Sequence, residues 1–315
     1  MALKDPASTL VTTGLAVDLV AVLAAVTEGQ PRVMTIRDGA ALPSGPFELD
    51  DRSLQTGLRA WVERQTGHPL GYVEQLYTFA DRDRAGSASR VISISYLGLT
   101  REERAKGATD ARWHNWYDYF PWEDRRTGPP AFLEKAIIPG LRAWAKAAGD
   151  ATKRRERAGR LAISFGLDGS QWNEELILQR YELIYEAGLI VEAVGTGAGP
   201  KPAGIPGRPM IFDHRRILAT GVARLRAKIK YRPVVFELMP PTFSLLQLQR
   251  AVEALAGRLV HKPNFRRLIE QQELVEETGA TASDTPGRPA KLYRFRRAVL
   301  AERAAAGTKL PLTRP

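Results

Sequence analysis

"PPTFSLLQLQRAVEALAGRLVHKPNFRRLIEQQELVEETG", Pro240 to Gly279, changes its hydrophobic period part-way along. Ser244 with Gln247 three positions on has the form of a capping box, in which each side chain bonds the other residue's backbone N–H. Leu245, Leu248, Val252 and Leu255 then recur at helical spacing, and Gly257 ends the helix. Pro263 suits the first turn of a second helix, where a missing N–H costs nothing. There the spacing turns Phe265, Leu268 and Ile269 inward, with Asn264, Arg266 and Arg267 facing away. "ELVEET" and "AKLYRFRR" follow as two strands joined by the loop "GATASDTPGRP". Helix, turn, helix, hairpin is the order of a winged helix-turn-helix.

In such a unit the second helix lies in the major groove, where Arg and Asn make common base contacts. Here it presents Lys262, Asn264, Arg266 and Arg267, while the loop and last strand add Arg288, Lys291, Tyr293, Arg294, Arg296 and Arg297. The alternative is a small α+β domain with a solvated basic face. Cations that recur on the outward face of the helix and again in the wing favour double-stranded DNA. "PGRP" at Pro286 to Pro289 could lay its arginine in a narrow minor groove. The same tetrapeptide at Pro206 to Pro209 makes turn chemistry the better account of both copies.

The whole composition agrees with a polyanionic partner. The 315 residues carry 46 Lys and Arg against 35 Asp and Glu, a formal net charge of +11. With 44% hydrophobic and 26% charged residues the chain reads as soluble and globular, long enough for two cores. It has no cysteine, which excludes disulfides and thiolate metal sites and suits the cytoplasm. The apolar run Leu15 to Val26 is interrupted by Asp18 and is too short to span a bilayer, so it reads as a buried strand rather than a membrane or secretion signal.

Upstream, "RVMTIRD", "VEQLYTFADR" and "RVISISYLGL" read as further strands. Between them Ser53 caps a helix with Leu54, Leu58, Trp61 and Val62 on one face, and Gly67 and Pro69 stop it. From about 101 to 206 the chain carries the aromatic cluster "WHNWYDYFPW", two helices within "PAFLEKAIIPGLRAWAKAA" and "NEELILQRYELIYEAGLI", and the Gly/Pro-rich "GTGAGPKPAGIPGRP". The aromatic rings could sandwich an adenine or anchor this segment to the sheet, and their density favours packing. His114 among them is a lone histidine and not a metal site. A helix with Leu218, Val222 and Leu225 at helical spacing follows, and then "YRPVVFEL" as a strand or extended connector.

"LPSGPFELDDRSLQTGLRAWVERQTG", Leu42 to Gly67, resembles the Nudix box, a Gly-containing loop and helix whose Arg-Glu and Glu-Glu pairs precede a closing glycine. Aligned on Gly67, the Arg-Glu pair falls on Ala60 and Trp61, and the Glu-Glu pair on Arg64 and Gln65. The carboxylates with which Nudix hydrolases hold Mg²⁺ are therefore replaced. Glu63 points about 100° away from the metal face, and Asp50 and Asp51 do not make up the set. Trp61 reads as core.

A degenerate box followed by a winged helix resembles the Nudix-related transcriptional regulators of NAD metabolism. "YVEQLYTFADRDR", "ISISYLGLT", "FDHRRILATGVARLRAKIKYRPVVFELMPPTFSLLQLQ", "NFRRLI" and "GRPAKLYRF" occur in the order that the resemblance requires. It implies an α+β chain: a Nudix-like mixed sheet between helices over 1–232, with a helical insertion over about 101–206, a winged helix over 233–305 and a flexible tail over 306–315. It further implies a cytoplasmic homodimeric repressor of NAD biosynthesis or salvage genes that is not an enzyme. No cofactor is required, and the effector would be ADP-ribose or another NAD-related nucleotide. Arg59, Arg64, Arg82 and Arg84 are the candidate phosphate-binding cations. The competing reading is a metal-dependent nucleotide pyrophosphohydrolase with a nucleic-acid-binding appendage.

Overall fold

Apolar residues fill nearly every position of Ala16–Thr27, as expected of a strand covered on both faces, and this strand (β1) is the centre of the sheet. The computed structural model describes residues 16–80, 91–102, 110–194, 205–282 and 289–299. β1 pairs antiparallel with β2 (Gln30–Thr35) and with β3 (Ser44–Pro46), and parallel with β5 (Val91–Leu99). β4 (Tyr72–Phe79) closes one edge on β5, and β6 (Arg112–Asn115) closes the other on β2. The sheet is mixed, in the order β4-β5-β1-β2-β6 with β3 beside β1.

Helix α1 (Leu54–Thr66) covers one face. Its ends are those the sequence implies: Ser53 Oγ accepts the Thr56 N–H, and Gly67 adopts a left-handed φ of 68°. Leu58 and Val62 are buried against Leu19, Ala21, Leu23 and Met34. Trp61 departs from the expected core position and is only partly buried, because it turns aside to cover β3.

The opposite face carries the helices α2 (Ile138–Lys146), α3 (Ala151–Phe165), α4 (Ile177–Glu186), the single turn α5 (Val191–Val194) and α6 (His214–Lys228). The aromatic cluster is packing: Trp116, Tyr119, Phe120 and Trp122 are buried beneath these helices. Its first residues are β6 itself, so the sheet continues into the stretch read as an insertion. α2 is entered through a π-helical turn, Leu133–Ile137, just before Pro139, whose missing N–H would break an ordinary helical ladder. The sequence "YRPVVFEL" forms a 3₁₀ turn, Val234–Leu238, rather than a strand, as Pro233 starts it and Phe236 and Leu238 are drawn into the core.

At the C-terminus α7 (Leu245–Ala256), α8 (Lys262–Gln271) and the hairpin β7 (Val275–Ala282) and β8 (Ala290–Phe295) make the winged helix. The capping box at Ser244 and Gln247 is formed in both directions. Phe243 extends the hairpin through reciprocal backbone bonds with Tyr293 at 2.9 and 2.8 Å. α7 lies on β1 and β2, and Leu248, Ala251 and Leu255 share one core with Val22 and Val33 of the sheet. Among the described residues no helix is long and apolar enough to cross a membrane.

Candidate functional site

α8 is anchored by little. Ile269 is buried and Phe265 is partly so, while Leu268, expected to face inward, is 50% exposed. The core beneath α8 accepts one residue per turn, and positions 265 and 269 already fill that stripe. Lys262, Asn264, Arg266 and Arg267 are all exposed, and none makes a side-chain hydrogen bond or ion pair among the described residues. Four adjacent polar side chains, three of them cationic, thus project from the first two turns of one helix with their donors open.

The wing is different. Lys291 Nζ lies 2.8 Å from Glu277, Arg294 Nε lies 2.6 Å from Glu276, and Arg296 pairs with Glu273. The Lys291 hydrogen bond holds the Glu277 carboxyl below the usual carboxylate range. The Lys291 and Arg294 pairs cross the hairpin and stiffen it, and all three pairs neutralise their own cations in the free protein. Arg288 lies outside the described residues.

The Nudix-like helix forms a bracket. Gln65 accepts the Ser44 N–H at 3.0 Å and donates to the Ser44 carbonyl at 2.7 Å. Trp61 Nε1–H donates to the Pro46 carbonyl at 2.8 Å, and its indole lies against Gly45, where a Cβ would come within 2.2 Å of the ring. Two positions that bear carboxylates in the Nudix pattern therefore hold β3 to the helix. Arg64, the third, stacks on Trp61 with its guanidinium carbon 4.4 Å from the ring centroid. Glu63 is exposed, and Asp51 is engaged by the Glu48 N–H. Among the described residues no group of three His, Asp or Glu could hold a metal ion. This donor set does not fit the Mg²⁺ of a Nudix hydrolase.

Two of the four proposed phosphate ligands lie among the described residues. Arg59 donates to the carbonyls of Leu70 and Gly71 and so secures the entry into β4. Arg64 has its N–H groups open among the described residues, outside which Arg82 and Arg84 lie. His114 Nδ1 is 2.7 Å from Thr35 Oγ1, and burial depresses its pKa. A cleft of about 660 Å³ opens elsewhere, between β4, α3, α4 and α6, with Tyr77, Phe79, Ile163 and Leu178 on its walls. Its cations are already paired, Arg160 with Glu186 and Arg216 with Glu182.

The fold is that of a Nudix-like domain joined to a winged helix. Residues 235–295 match the family model of the NrtR DNA-binding winged helix domain. The ADPR responsive transcriptional repressor NtrR of Acinetobacter baylyi is 41% identical over 87 residues, 27% of this chain. The match spans about a third, 34%, of that relative's length. The crystal structure of Shewanella oneidensis NrtR complexed with a 27mer DNA superposes with a TM-score of 0.56 at 18% identity, covering 90% of this chain and 95% of that one. A MutT/nudix family protein from Enterococcus faecalis gives 0.52 at 15% identity, covering 94% and 90%. The resemblance to Nudix-related regulators thus holds in fold along most of the chain and in sequence at its C-terminal domain.

Proposed function

We propose that the chain is a ligand-responsive transcriptional repressor that binds double-stranded operator DNA as a homodimer in the cytoplasm. Its Nudix-like domain senses ADP-ribose or a related nucleotide derived from NAD, and its targets are genes of NAD biosynthesis or salvage. The observation that carries this reading is the open polar face of α8, Lys262 to Arg267, in an NrtR-type winged helix. Arg266 and Arg267 suit guanine edges, Asn264 suits adenine and Lys262 a phosphate, while exposed Leu268 can meet a thymine methyl. The wing cations Lys291 and Arg294 reach phosphate by exchanging partners with Glu277 and Glu276, and Arg288 is a further candidate for the DNA backbone. The Nudix-like domain binds without turnover, because Trp61 and Gln65 have exchanged metal ligation for the grip on β3. Arg64, with Arg82 and Arg84, is left to meet the effector's phosphates, and Arg59 supports the loop beneath them.

The test is binding of the purified protein to DNA from upstream of its own gene, titrated with ADP-ribose and with NAD at fixed salt, while hydrolysis in Mg²⁺ is followed in parallel. Specific binding altered by one metabolite without turnover is expected. Turnover without specific DNA binding would replace this reading with a pyrophosphohydrolase.

A further inference from the structure

Carbonyls in the last turn of a helix have no partner within it, and they require donors from elsewhere when that end is buried. α7 ends at Gly257, whose φ is 72°. Three carbonyls there accept hydrogen bonds from outside the winged helix. Tyr117 Oη–H donates to Ala254 at 2.7 Å, Arg226 Nε–H to Leu255 at 2.9 Å, and the Arg125 N–H to Gly257 at 2.7 Å. Tyr117 and Arg125 lie just beyond β6, and Arg226 lies on α6, so all three donors belong to the Nudix-like part.

Arg226 is itself fixed. Its Nη1 lies 2.6 Å from Glu123, whose other oxygen lies 2.5 Å from Nε of Arg180 on α4, and all three side chains are 0% exposed. Burial opposes ionisation of Glu123, but Arg180 and then Arg226 outweigh it and hold the carboxyl below its usual range. One carboxylate serves two guanidinium groups, and the second cation also donates to the Glu174 carbonyl at 2.9 Å and, through Nε, to the negative end of α7. A buried cluster of this kind is costly when any partner is lost, so it is complete only with α7 seated.

We propose that Tyr117 and Arg226, with the Arg125 backbone, are positioning residues for DNA recognition. They fix the end of α7, and through it α8, at one angle to the Nudix-like domain. The inference rests on the DNA-binding reading above and deepens it. The path is short: Glu253 in the last turn of α7 accepts the Val260 N–H at 3.0 Å, and α8 begins at Lys262. Gln249 steadies the same carboxylate from 2.9 Å. Opening the clasp therefore loosens the start of α8 without altering any side chain that faces DNA.

Tyr117→Phe removes one oxygen and keeps the ring's packing, and Arg226→Lys keeps the charge but loses the Nε bond. Amide hydrogen exchange over residues 254–268 of the full chain without DNA is expected to rise about fivefold or more in Tyr117→Phe, which loses the bond to Ala254 and the one accepted from Arg226, with the sheet unchanged. Equal exchange in that segment would overturn the proposal. The second readout is binding to a duplex that the wild-type protein selects from a random-sequence pool, relative to a scrambled duplex at the same salt. The specific-to-scrambled ratio is expected to fall about fivefold, while scrambled binding and its salt slope hold, because no phosphate contact is lost. A ratio unchanged in variants that melt like the wild type makes the clasp structural only and ends the proposal. If the wild-type protein selects no duplex, the DNA-binding reading fails on its own, and the exchange experiment still decides whether the clasp holds α8.

Discussion

At Arg266 and Arg267 the sequence asks for nothing structural. Both are exposed and without partners among the described residues, so replacing either with Ala should leave stability within about 0.5 kcal/mol. Operator binding should weaken by about 1–3 kcal/mol for each residue that meets a base edge. Fluorescence anisotropy on a selected duplex measures this, and unchanged affinity in both variants would mean that α8 does not enter the groove. His214 is the opposite case, a residue whose chemistry serves the fold. Its Nδ1 accepts the Leu42 N–H at 3.0 Å, and burial, with Arg37 nearby, lowers its pKa from 6.5 to about 4. Between those values the unfolded chain binds a proton that the folded chain refuses. The stability is therefore whole above pH 6.5, is lost as pH falls toward 4, and the loss amounts to about 3 kcal/mol. Urea unfolding from pH 7 to 4 should show this slope, and His214→Gln, which cannot charge, should lack it.

In the α1–β3 bracket, positions that bear carboxylates in the Nudix pattern hold a strand instead. Gln65→Glu would restore one carboxylate of the Nudix pattern but place an oxygen against the Ser44 carbonyl, where Nε2 now donates at 2.7 Å. The expected result is a loss of about 1–3 kcal/mol in urea unfolding with no Mg²⁺-dependent turnover of ADP-ribose. A variant as stable as the wild type would mean that Gln65 does not hold β3. Elements whose ends are set by local chemistry were legible: Ser53, the Ser244 and Gln247 box, Gly67 and Gly257 all sit where the residues alone put them. Elements set by tertiary contact were not. α3 went unread because "ATKRRERAGR" is polar around most of its circumference and meets the core only at its end, through Leu161 and Phe165, although Asp150 caps it as a sequence reading could have found. Leu268 fooled the helical count because hydrophobicity says nothing of how much core is available. The clasp was invisible for the same reason: Glu123, Arg180 and Arg226 are far apart in the chain, and charged residues in a sequence are ordinarily read as surface.

At the scale of the molecule, the shared core of α7 and the sheet limits how a signal can travel. With Leu248 and Leu255 packed among the residues that bury β1 and β2, the recognition helix cannot swing freely on a flexible hinge within its own protomer. In the proposed homodimer the effector would instead move whole protomers, so that two recognition helices lose the spacing of about 34 Å that successive major grooves require. Such a mechanism carries a thermodynamic obligation. A ligand shifts the equilibrium only by its differential affinity for the two arrangements, and the operator must return the same factor to the ligand. Couplings of this type usually lie at about 5–150-fold. ADP-ribose affinity measured by calorimetry with and without saturating operator should therefore change by the factor that ADP-ribose imposes on operator affinity. Both arms must be run at one salt concentration, because a chain of net charge +11 will bind any duplex more tightly as salt falls. Equal factors within that range would establish that the effector site and the DNA-binding surface are coupled. A factor of one in both arms would show that the two sites are not coupled, and the ligand-responsive reading would fail.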